Sequence, residues 1–193
     1  AEDPTAKKQR QRAKTINFAL LYGVGAGHLS ELLNCDINEA RQIKQEYFSA
    51  IPEANAFINQ VQQIVIQRGY IRNYYGRRRR LKPDECYKAP NSLIQGCAAD
   101  VMKKQLCKLY HYIQDNSLKT TMINIVHDEV QLCVPDNELI HVPDFKACLE
   151  NTEDFRTHIE ADIELSNETW AKKEEAPLEW FATPESIKEH FGV

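Results

Sequence analysis

Two β-rich runs in the second half of the chain, Thr120–Val126 and Val130–Val134, are separated by only three residues, His127, Asp128 and Glu129. Short β-rich runs joined by a polar turn are typical of an antiparallel hairpin. Side chains alternate along a strand, so we expect the two neighbouring carboxylates to face opposite ways, with one better placed to bind a metal. An ordinary polar turn would also favour Asp, and the apolar residues on both sides support a functional site equally, so both interpretations stay open at this point.

Helix signals dominate the rest of the chain. Pro4, followed by turns rich in Ala, Lys, Gln and Arg, predicts a helix over Thr5–Leu21 that the glycines of 23–27 end. Asp36 and Glu39 form a capping box at the start of another helix. The balance predicts an α+β fold, mostly helical with a small antiparallel sheet. The other predicted elements are helices at His28–Leu33, up to Ala50, Pro52–Gly69, Asn91–Gln114, near Phe145–Thr152 and after Thr183, and strands at Tyr70–Tyr75 and near Ile159–Leu165.

Charge is distributed unevenly along the chain. Residues 1–110 carry 18 Lys and Arg against 10 Asp and Glu, whereas residues 111–193 carry 6 against 18, which gives the net charge of −4. A basic first half suits a protein that holds a polyanion, although two ordinary surfaces of opposite sign would give the same totals.

Cellular location is constrained by hydropathy and cysteine usage. No apolar run is long enough for a transmembrane helix, so no membrane partner is expected. The six cysteines are scattered without CxxC spacing, which favours reduced thiols. We therefore expect an intracellular protein.

Four residues in the first predicted helix, Arg10, Lys14, Phe18 and Tyr22, are spaced four apart. On a helix this spacing gives one slowly drifting stripe, cationic at one end and aromatic at the other. Two cations can hold the triphosphate of a nucleotide, and an aromatic ring one turn later can lie against its sugar or base. The alternative is a helix with solvated basic residues and two aromatic side chains packed in the core.

A strongly basic segment follows Gly69 and is interleaved with tyrosines. Such a run can follow a phosphate backbone, although a merely solvated run is the alternative. Asn91 and Gln95 lie one turn apart at the start of the long predicted helix, where amides can read minor-groove acceptors. The basic residues of the segment are Arg68, Arg72, Arg77, Arg78, Arg79, Arg80 and Lys82.

Taken together and in order, these segments resemble the family A DNA polymerases. Arg10–Gly23 resembles motif B on the fingers helix, and Val126–Val130 resembles motif C of the palm. The resemblance covers about residues 5–175 and implies template-directed DNA synthesis by two-metal nucleotidyl transfer. It also implies a location in the cytoplasm of a bacterium or of a phage-infected cell. Further segments that match in order are Arg68–Arg79, Asn91–Asp100 and Ile159–Trp170.

The resemblance implies a role for each residue of the stripe. Arg10 and Lys14 would bind the triphosphate, and Lys14 would also be a candidate acid for the pyrophosphate leaving group. Phe18 would stack by the incoming sugar, and Tyr22 would lie near the templating base. Family members with Tyr at the position of Phe18 accept dideoxynucleotides more readily, so the Phe implies discrimination against them.

Motif C and the basic segment complete the implied site. Asp128 and Glu129 would be catalytic metal ligands for two Mg²⁺ ions in the completed site. His127 and Gln95 would contact the primer terminus, and Asn91 the nearby duplex. The implied DNA-binding surface also includes Arg77, Arg78 and Arg79.

The chain departs from the family pattern before motif B. Only nine residues precede Arg10, so motif A, with its catalytic Asp, and the thumb are absent from this sequence. We expect a second protein chain to supply motif A, the thumb and any exonuclease domain. Primer-template DNA and deoxynucleoside triphosphates are the other expected partners. We expect fingers at 1–90 and a palm portion at 91–193, whose tail, 177–193, has no recognised counterpart.

Two other functions fit parts of the sequence. Single-subunit RNA polymerases of the related fold tend to carry Tyr where Phe18 stands and Ser after the Asp of motif C, so Phe18 and Glu129 favour DNA synthesis. A non-catalytic nucleic-acid-binding subunit would not need Lys14, Asp128 or Glu129. Metal-dependent binding of a nucleotide separates this second alternative from a polymerase.

Overall fold

The computed structural model describes residues 4–150 and 155–192. The chain divides into two compact units, Ala1–Ala98 and Ala99–Val193. Their boundary falls inside the long helix α5 (Ala89–Asp115). The chain is mostly helical, with three two-stranded antiparallel sheets in the described residues, which confirms the predicted α+β fold. Within this part of the chain, no helix has the length and apolar character needed to span a membrane.

Local chemistry sets the ends of the first helices. The Asp36 carboxylate accepts a 2.7 Å hydrogen bond from the Asn38 N–H and caps α3 as predicted. The return bond expected from Glu39 is not found among the described residues, and Glu39 instead pairs with Arg12 at 3.7 Å. Gly69 ends α4 at a φ of 72°. The four helices are α1 (Pro4–Leu21), α2 (Ala26–Leu33), α3 (Ile37–Ala50) and α4 (Pro52–Arg68).

One apolar cluster and two polar contacts hold α1 in the first unit. The Tyr47 hydroxyl on α3 donates to the Asn17 side-chain oxygen at 2.5 Å, and burial raises the pKa of this tyrosine. The Lys44 ammonium donates to the Val24 carbonyl at 3.1 Å, just after α1. These contacts fix one side of α1 against α2 and α3. The buried residues of the cluster are Ala19, Leu20, Leu29 and Ala40.

The basic segment forms a hairpin in which β1 (Tyr70–Arg72) pairs antiparallel with β2 (Arg78–Arg80). The sequence predicts a strand as far as Tyr75, but the strand ends earlier because Asn73 closes the turn. Its side-chain oxygen accepts the Arg77 N–H at 2.9 Å. The arginine run therefore forms the second strand. A second apolar cluster joins this hairpin to α4 through Val61, Val65, Ile71, Leu81 and Ala89.

In the second unit, the predicted motif C hairpin is confirmed as β3 (Thr121–Val126) and β4 (Glu129–Cys133). The buried carboxylate of Glu138 anchors its base. It accepts the N–H groups of Lys119 at 2.7 Å and Thr120 at 2.8 Å, and the Thr120 hydroxyl at 2.6 Å. The start of β3 is thereby tied to the 3₁₀ turn that follows β4.

The core of the second unit joins α5, α6 (Val142–Leu149) and α7 (Pro184–Phe191). The helix predicted near Phe145–Thr152 starts earlier, because Pro143 occupies its first turn. It ends at Leu149, and residues 151–154 lie outside the described part of the chain. The buried residues of this core are Leu109, Ile113, Leu139, Val142, Phe145, Ala176, Phe181 and Ile187.

The last sheet is smaller than the sequence predicts. The strand expected near Ile159–Leu165 is only the two-residue β5 (Glu164–Leu165), paired with β6 (Glu174–Glu175). Side chains satisfy the backbone earlier in this segment. The Ala161 carbonyl accepts from the Lys146 ammonium, and the Ala161 N–H donates at 3.4 Å to the carboxylate of Glu150, which directly follows α6. These backbone groups therefore bond to side chains instead of to a neighbouring strand.

Candidate active site

The predicted stripe lies on the side of α1 that faces away from its buried residues. Arg10 and Lys14 are exposed, and Phe18 is 52% exposed, whereas Leu20 is 1% exposed. The rings of Phe18 and Tyr22 are stacked, with centroids 5.9 Å apart. The alternative in which both aromatic side chains pack in the core is therefore wrong for Phe18. The stripe presents two cations and an aromatic ring on one accessible face.

Tyr22 is placed by the glycine that follows it. The Tyr22 N–H still donates to the Phe18 carbonyl at 3.0 Å, and Gly23 then leaves the helix at a φ of 81°. A Cβ at Gly23 would lie 2.7 Å from the Tyr87 carbonyl oxygen. Only glycine therefore fits both the conformation and the close approach at the end of the stripe.

The tip of the motif C hairpin is a two-residue turn, His127 and Asp128, between Val126 and Glu129, which pair across the strands. His127 has a φ of 56° while Asp128 does not have a positive φ, the pattern of a type II′ hairpin turn. Both turn side chains are exposed. Within the described part of the chain, the Asp128 carboxylate has no hydrogen-bond or ion-pair partner, so its oxygens are available to a cation.

Glu129 has a different environment from Asp128. Its carboxylate accepts from the Gln131 amide at 3.0 Å, the Trp170 indole N–H at 2.6 Å and the Lys173 ammonium at 2.7 Å. The Lys173 hydrogen bond, then that of Gln131, lowers the pKa of Glu129 against the opposing effect of desolvation. The hydrogen bonds to Glu129 and Glu164 raise the pKa of Lys173. Glu129 is therefore an ionised and fully bonded carboxylate.

The residues at the tip fit part of a magnesium site. Mg²⁺ prefers carboxylate oxygens and keeps several waters, so one or two protein carboxylates are sufficient. Asp128 offers one such carboxylate. Among residues 4–150 and 155–192, no group of three or more His, Cys, Asp or Glu side chains is placed to hold a metal. Asp128 could therefore supply one ligand to a metal site, but the described residues do not enclose such a site.

In the first unit, a cavity of about 510 Å³ brings the arginine strand and the start of α5 together. Its lining includes Arg77, Arg78, Arg79 and Gln95. The Asn73 amide donates to the Gly96 carbonyl at 3.1 Å and joins the hairpin to the helix. The remaining lining residues are Ile71, Asn73, Ser92, Leu93 and Gly96.

Asn91 and Tyr70 are the chain neighbours of two residues that line this cavity, Ser92 and Ile71. Asn91 is only partly exposed, and its side-chain oxygen is buried without a hydrogen-bond partner among the described residues. The Arg78 guanidinium lies 5.2 Å from the centre of the Tyr70 ring. The cavity therefore combines arginines with the Asn73 and Gln95 amides, and Tyr70 outside its lining supports Arg78, which is the chemistry expected of a nucleic-acid surface.

The structure groups the predicted site residues into two sets. The stripe and the basic cavity belong to the first unit, and the hairpin tip belongs to the second. Sequence reasoning missed Lys173 and Gln131 as partners of Glu129. Gln131 carries a detectable signal, because it lies two residues from Glu129 on the same strand face. The sequence carries no signal for the contact of Lys173, because 44 residues separate it from Glu129.

Comparison with known proteins agrees with the motifs. Residues 1–172 match the sequence profile of DNA polymerase family A. DNA polymerase I of Chloroflexus aurantiacus is 32% identical over 148 residues, which cover 71% of this chain and 16% of that protein. The thermostable DNA polymerase I of Thermus filiformis is 31% identical over 180 residues, covering 87% of this chain and 21% of that protein. The chain therefore spans less than a quarter of the length of these relatives.

A solved structure shows the same relationship. The POL domain of Pol1 from M. smegmatis, in complex with DNA primer-template and dNTP, superimposes with a TM-score of 0.67 and 25% sequence identity. The match covers 74% of this chain and 26% of that structure. With the family profile matched over most of its length, this chain belongs to DNA polymerase family A.

Proposed function

We propose that this chain supplies the nucleotide-binding helix and the motif C carboxylate of a DNA polymerase that extends a primer 3′ end. The observation that carries the proposal is the stripe on α1. Lys14 and Phe18 lie one helical turn apart, and both are exposed although Leu20 of the same helix is buried. An exposed aromatic ring beside a cation suits the sugar and triphosphate of a nucleotide.

The reaction assigns a role to each stripe residue. The primer 3′ oxygen forms a bond to the α-phosphorus while the bond to the pyrophosphate oxygen breaks. Arg10 and Lys14 would hold the triphosphate and balance its charge, and Lys14 would give a proton to the departing pyrophosphate. Phe18 would lie against the sugar, and Tyr22 near the templating base.

Asp128 would hold Mg²⁺ at the hairpin tip, with Glu129 beside it. When bound, the two metal ions of such a site supply charge stabilisation at the attacking and leaving oxygens. His127, in the same turn, would contact the primer terminus. The exposure of both turn residues supports this assignment.

The basic cavity would receive the duplex. Arg77, Arg78 and Arg79 would follow a phosphate backbone, and Gln95 at the same cavity would contact the primer terminus. Asn91, one turn before Gln95, would contact the nearby duplex. The cavity's mixture of fixed cations and an amide supports positioning by phosphates together with minor-groove contacts.

The remaining parts of the polymerase would come from a second protein chain that carries motif A, the thumb and any exonuclease domain. The β3–β4 hairpin forms a two-stranded sheet in the described residues. Ile123 and Ile125 on β3 are 63% and 51% exposed. A strand added beside this hairpin would cover that apolar surface. All six cysteines are free thiols, which supports an intracellular site of action.

Nucleotide binding tests the proposal. Calorimetric titration with a deoxynucleoside triphosphate should show binding, and Lys14→Met should weaken it by about tenfold or more, since a charge-assisted hydrogen bond is lost. Lys8→Met is the matched control, because Lys8 is exposed on another face of the same helix. Equal losses in the two variants would contradict the stripe assignment.

A non-catalytic nucleic-acid-binding subunit is the second candidate function. It is favoured by the lack of a three-carboxylate cluster among the described residues. The same titration separates the two functions when it is run with and without Mg²⁺ in the presence of primer-template DNA. A polymerase component should bind the nucleotide more tightly with Mg²⁺, whereas a pure nucleic-acid binder should not respond to the metal.

A further inference from the structure

The Glu129 carboxylate receives three hydrogen bonds from two different parts of the second unit. Gln131 lies on the same strand, whereas Trp170 and Lys173 lie in the segment between β5 and β6. The Trp170 indole binds the same carboxylate oxygen as Gln131, and Lys173 binds the other. Both oxygens of Glu129 are therefore engaged within the chain.

Lys173 is itself held in place. Its ammonium lies 2.7 Å from Glu129 and 2.5 Å from Glu164, so it bridges two carboxylates. It also lies 5.7 Å from the centre of the Trp170 ring. Only 29% of its side chain is exposed, so solvent screens these contacts less than at an open surface. This arrangement links the base of the motif C turn to the sheet that follows it.

The two carboxylates of motif C thus differ in availability. Asp128 sits in the turn and has no partner among the described residues, whereas both oxygens of Glu129 already accept hydrogen bonds. A metal ion bound to Glu129 would also lie close to the Lys173 ammonium, which would repel it. The geometry therefore separates a metal-binding role for Asp128 from a holding role for Glu129.

We propose that Trp170 and Lys173 are positioning residues that clamp Glu129, so that Glu129 holds the motif C turn that carries Asp128. The clamp itself follows from the contacts of this chain, and its effect on catalysis rests on the function proposed above. Loss of such an outer contact to a metal-binding turn typically lowers activity by about ten- to hundredfold.

The clamp has a direct spectroscopic signature. The chain has only two tryptophans, Trp170 and Trp180, so a ¹H–¹⁵N spectrum holds two indole signals, and Trp180→Phe assigns them. A hydrogen bond to a carboxylate moves an indole proton downfield. Glu129→Ala should therefore shift the Trp170 signal upfield, and Lys173→Met should shift it in the same direction. Lys172→Met is the matched control, since Lys172 pairs with the exposed Glu168. A Trp170 signal that does not respond to Glu129→Ala overturns the clamp.

Paramagnetic broadening tests which carboxylate binds metal. Mn²⁺ added to the chain should broaden the backbone amide signals of the hairpin tip in the wild type. Glu129→Gln should leave this broadening largely unchanged, and Asp128→Asn should reduce it. Loss of broadening in Glu129→Gln to the same extent as in Asp128→Asn overturns the division of roles. So does a wild-type chain whose tip does not respond to Mn²⁺ at all.

Activity of the completed polymerase gives the third readout. Lys173→Met should lower kcat by about tenfold with little change in the nucleotide KM, and Lys173→Arg should recover most of the loss. A Lys173→Arg variant as impaired as Lys173→Met contradicts positioning through the ion pair. Failure of the proposed function is distinguishable, because every variant would then lack primer extension while the indole shift persisted.

Discussion

At the scale of single residues, the stripe proposed to bind the nucleotide depends on the glycine that ends it. Gly23 adopts a φ of 81° and approaches the Tyr87 backbone. Its position directly after Tyr22 means that any change of backbone here moves the last aromatic ring of the stripe. Stability and nucleotide binding should therefore fail together at this residue.

Gly23→Ala should lower the free energy of unfolding by about 1–2 kcal/mol from the left-handed backbone alone. The contact of the new Cβ with the Tyr87 carbonyl adds to this loss. Gly27→Ala is the control, since Gly27 lies in the first turn of α2 with nothing within 4 Å, and it should gain about 0.4–1 kcal/mol. Urea denaturation measures both variants, and coincident unfolding midpoints would contradict the role of Gly23.

At the scale of elements, the buried Glu138 carboxylate fixes the β3–β4 hairpin to the turn that follows it. Burial opposes the charge on Glu138, but hydrogen bonds from Thr120 and Lys119 outweigh it and hold the pKa below the ordinary value of 4.5. The unfolded chain titrates at the ordinary value. This contribution to stability is therefore present above pH 4.5 and is lost as the pH falls through the lower folded pKa.

Glu138→Gln should make the chain less stable at neutral pH, because it removes the ionised acceptor of three hydrogen bonds. It should also flatten the decline in stability between about pH 5 and pH 3. Glu189→Gln, at an exposed position on α7, should reproduce the wild-type pH dependence. Urea unfolding midpoints measured across this pH range test the prediction. A pH dependence of the Glu138→Gln midpoint that parallels the wild type would contradict the role of the ionised Glu138 carboxylate.

The C-terminal tail is a structural element of the second unit. Phe181 is completely buried in the core with Phe145 and Val142, although the family match ends at residue 172. Phe181→Ala should cost about 3–5 kcal/mol, as expected for a large cavity in a packed core. Leu178→Ala, at a position 41% exposed, should change stability by less than about 1 kcal/mol. Equal effects in thermal unfolding would show that the tail is not part of the core.

Elements governed by local chemistry could be predicted from the sequence. Asp36, Gly69 and Thr183 mark helix ends through side-chain caps and a left-handed glycine, and each does so in the structure. The β3–β4 hairpin is likewise local, since β3 is rich in β-branched residues and only a two-residue turn separates it from β4. The stripe followed from helical spacing, and its exposure confirmed that its cations and Phe18 share an accessible face.

Elements governed by distant contacts could not be predicted in the same way. The strand Arg78–Arg80 lacks the apolar or β-branched residues of a strand and forms because the turn closed by Asn73 brings it against β1. The Lys173–Glu129 pair joins residues far apart in sequence. No local pattern encodes either contact, so both needed the folded structure.

At the scale of the whole molecule, the chain matches only part of its relatives. It covers 16% of the Chloroflexus aurantiacus protein and 21% of the Thermus filiformis protein. Its basic and acidic residues are segregated along the sequence, with the stripe and the arginine strand in the basic part and motif C in the acidic part. The exposed apolar face of β3 is the surface where we propose that the completing polypeptide joins.

The decisive measurement is primer extension with Mg²⁺ and all four deoxynucleotides. It is run with this chain alone and with this chain mixed with a polypeptide that carries motif A and the thumb. We predict no extension by the chain alone and extension on mixing. Asp128→Ala should abolish that extension, whereas Asp136→Ala, which changes an exposed Asp beyond the hairpin, should leave full activity. Extension by the chain alone, or extension on mixing that Asp128→Ala leaves intact, would contradict the assignment of this chain as the motif B and motif C part of a polymerase.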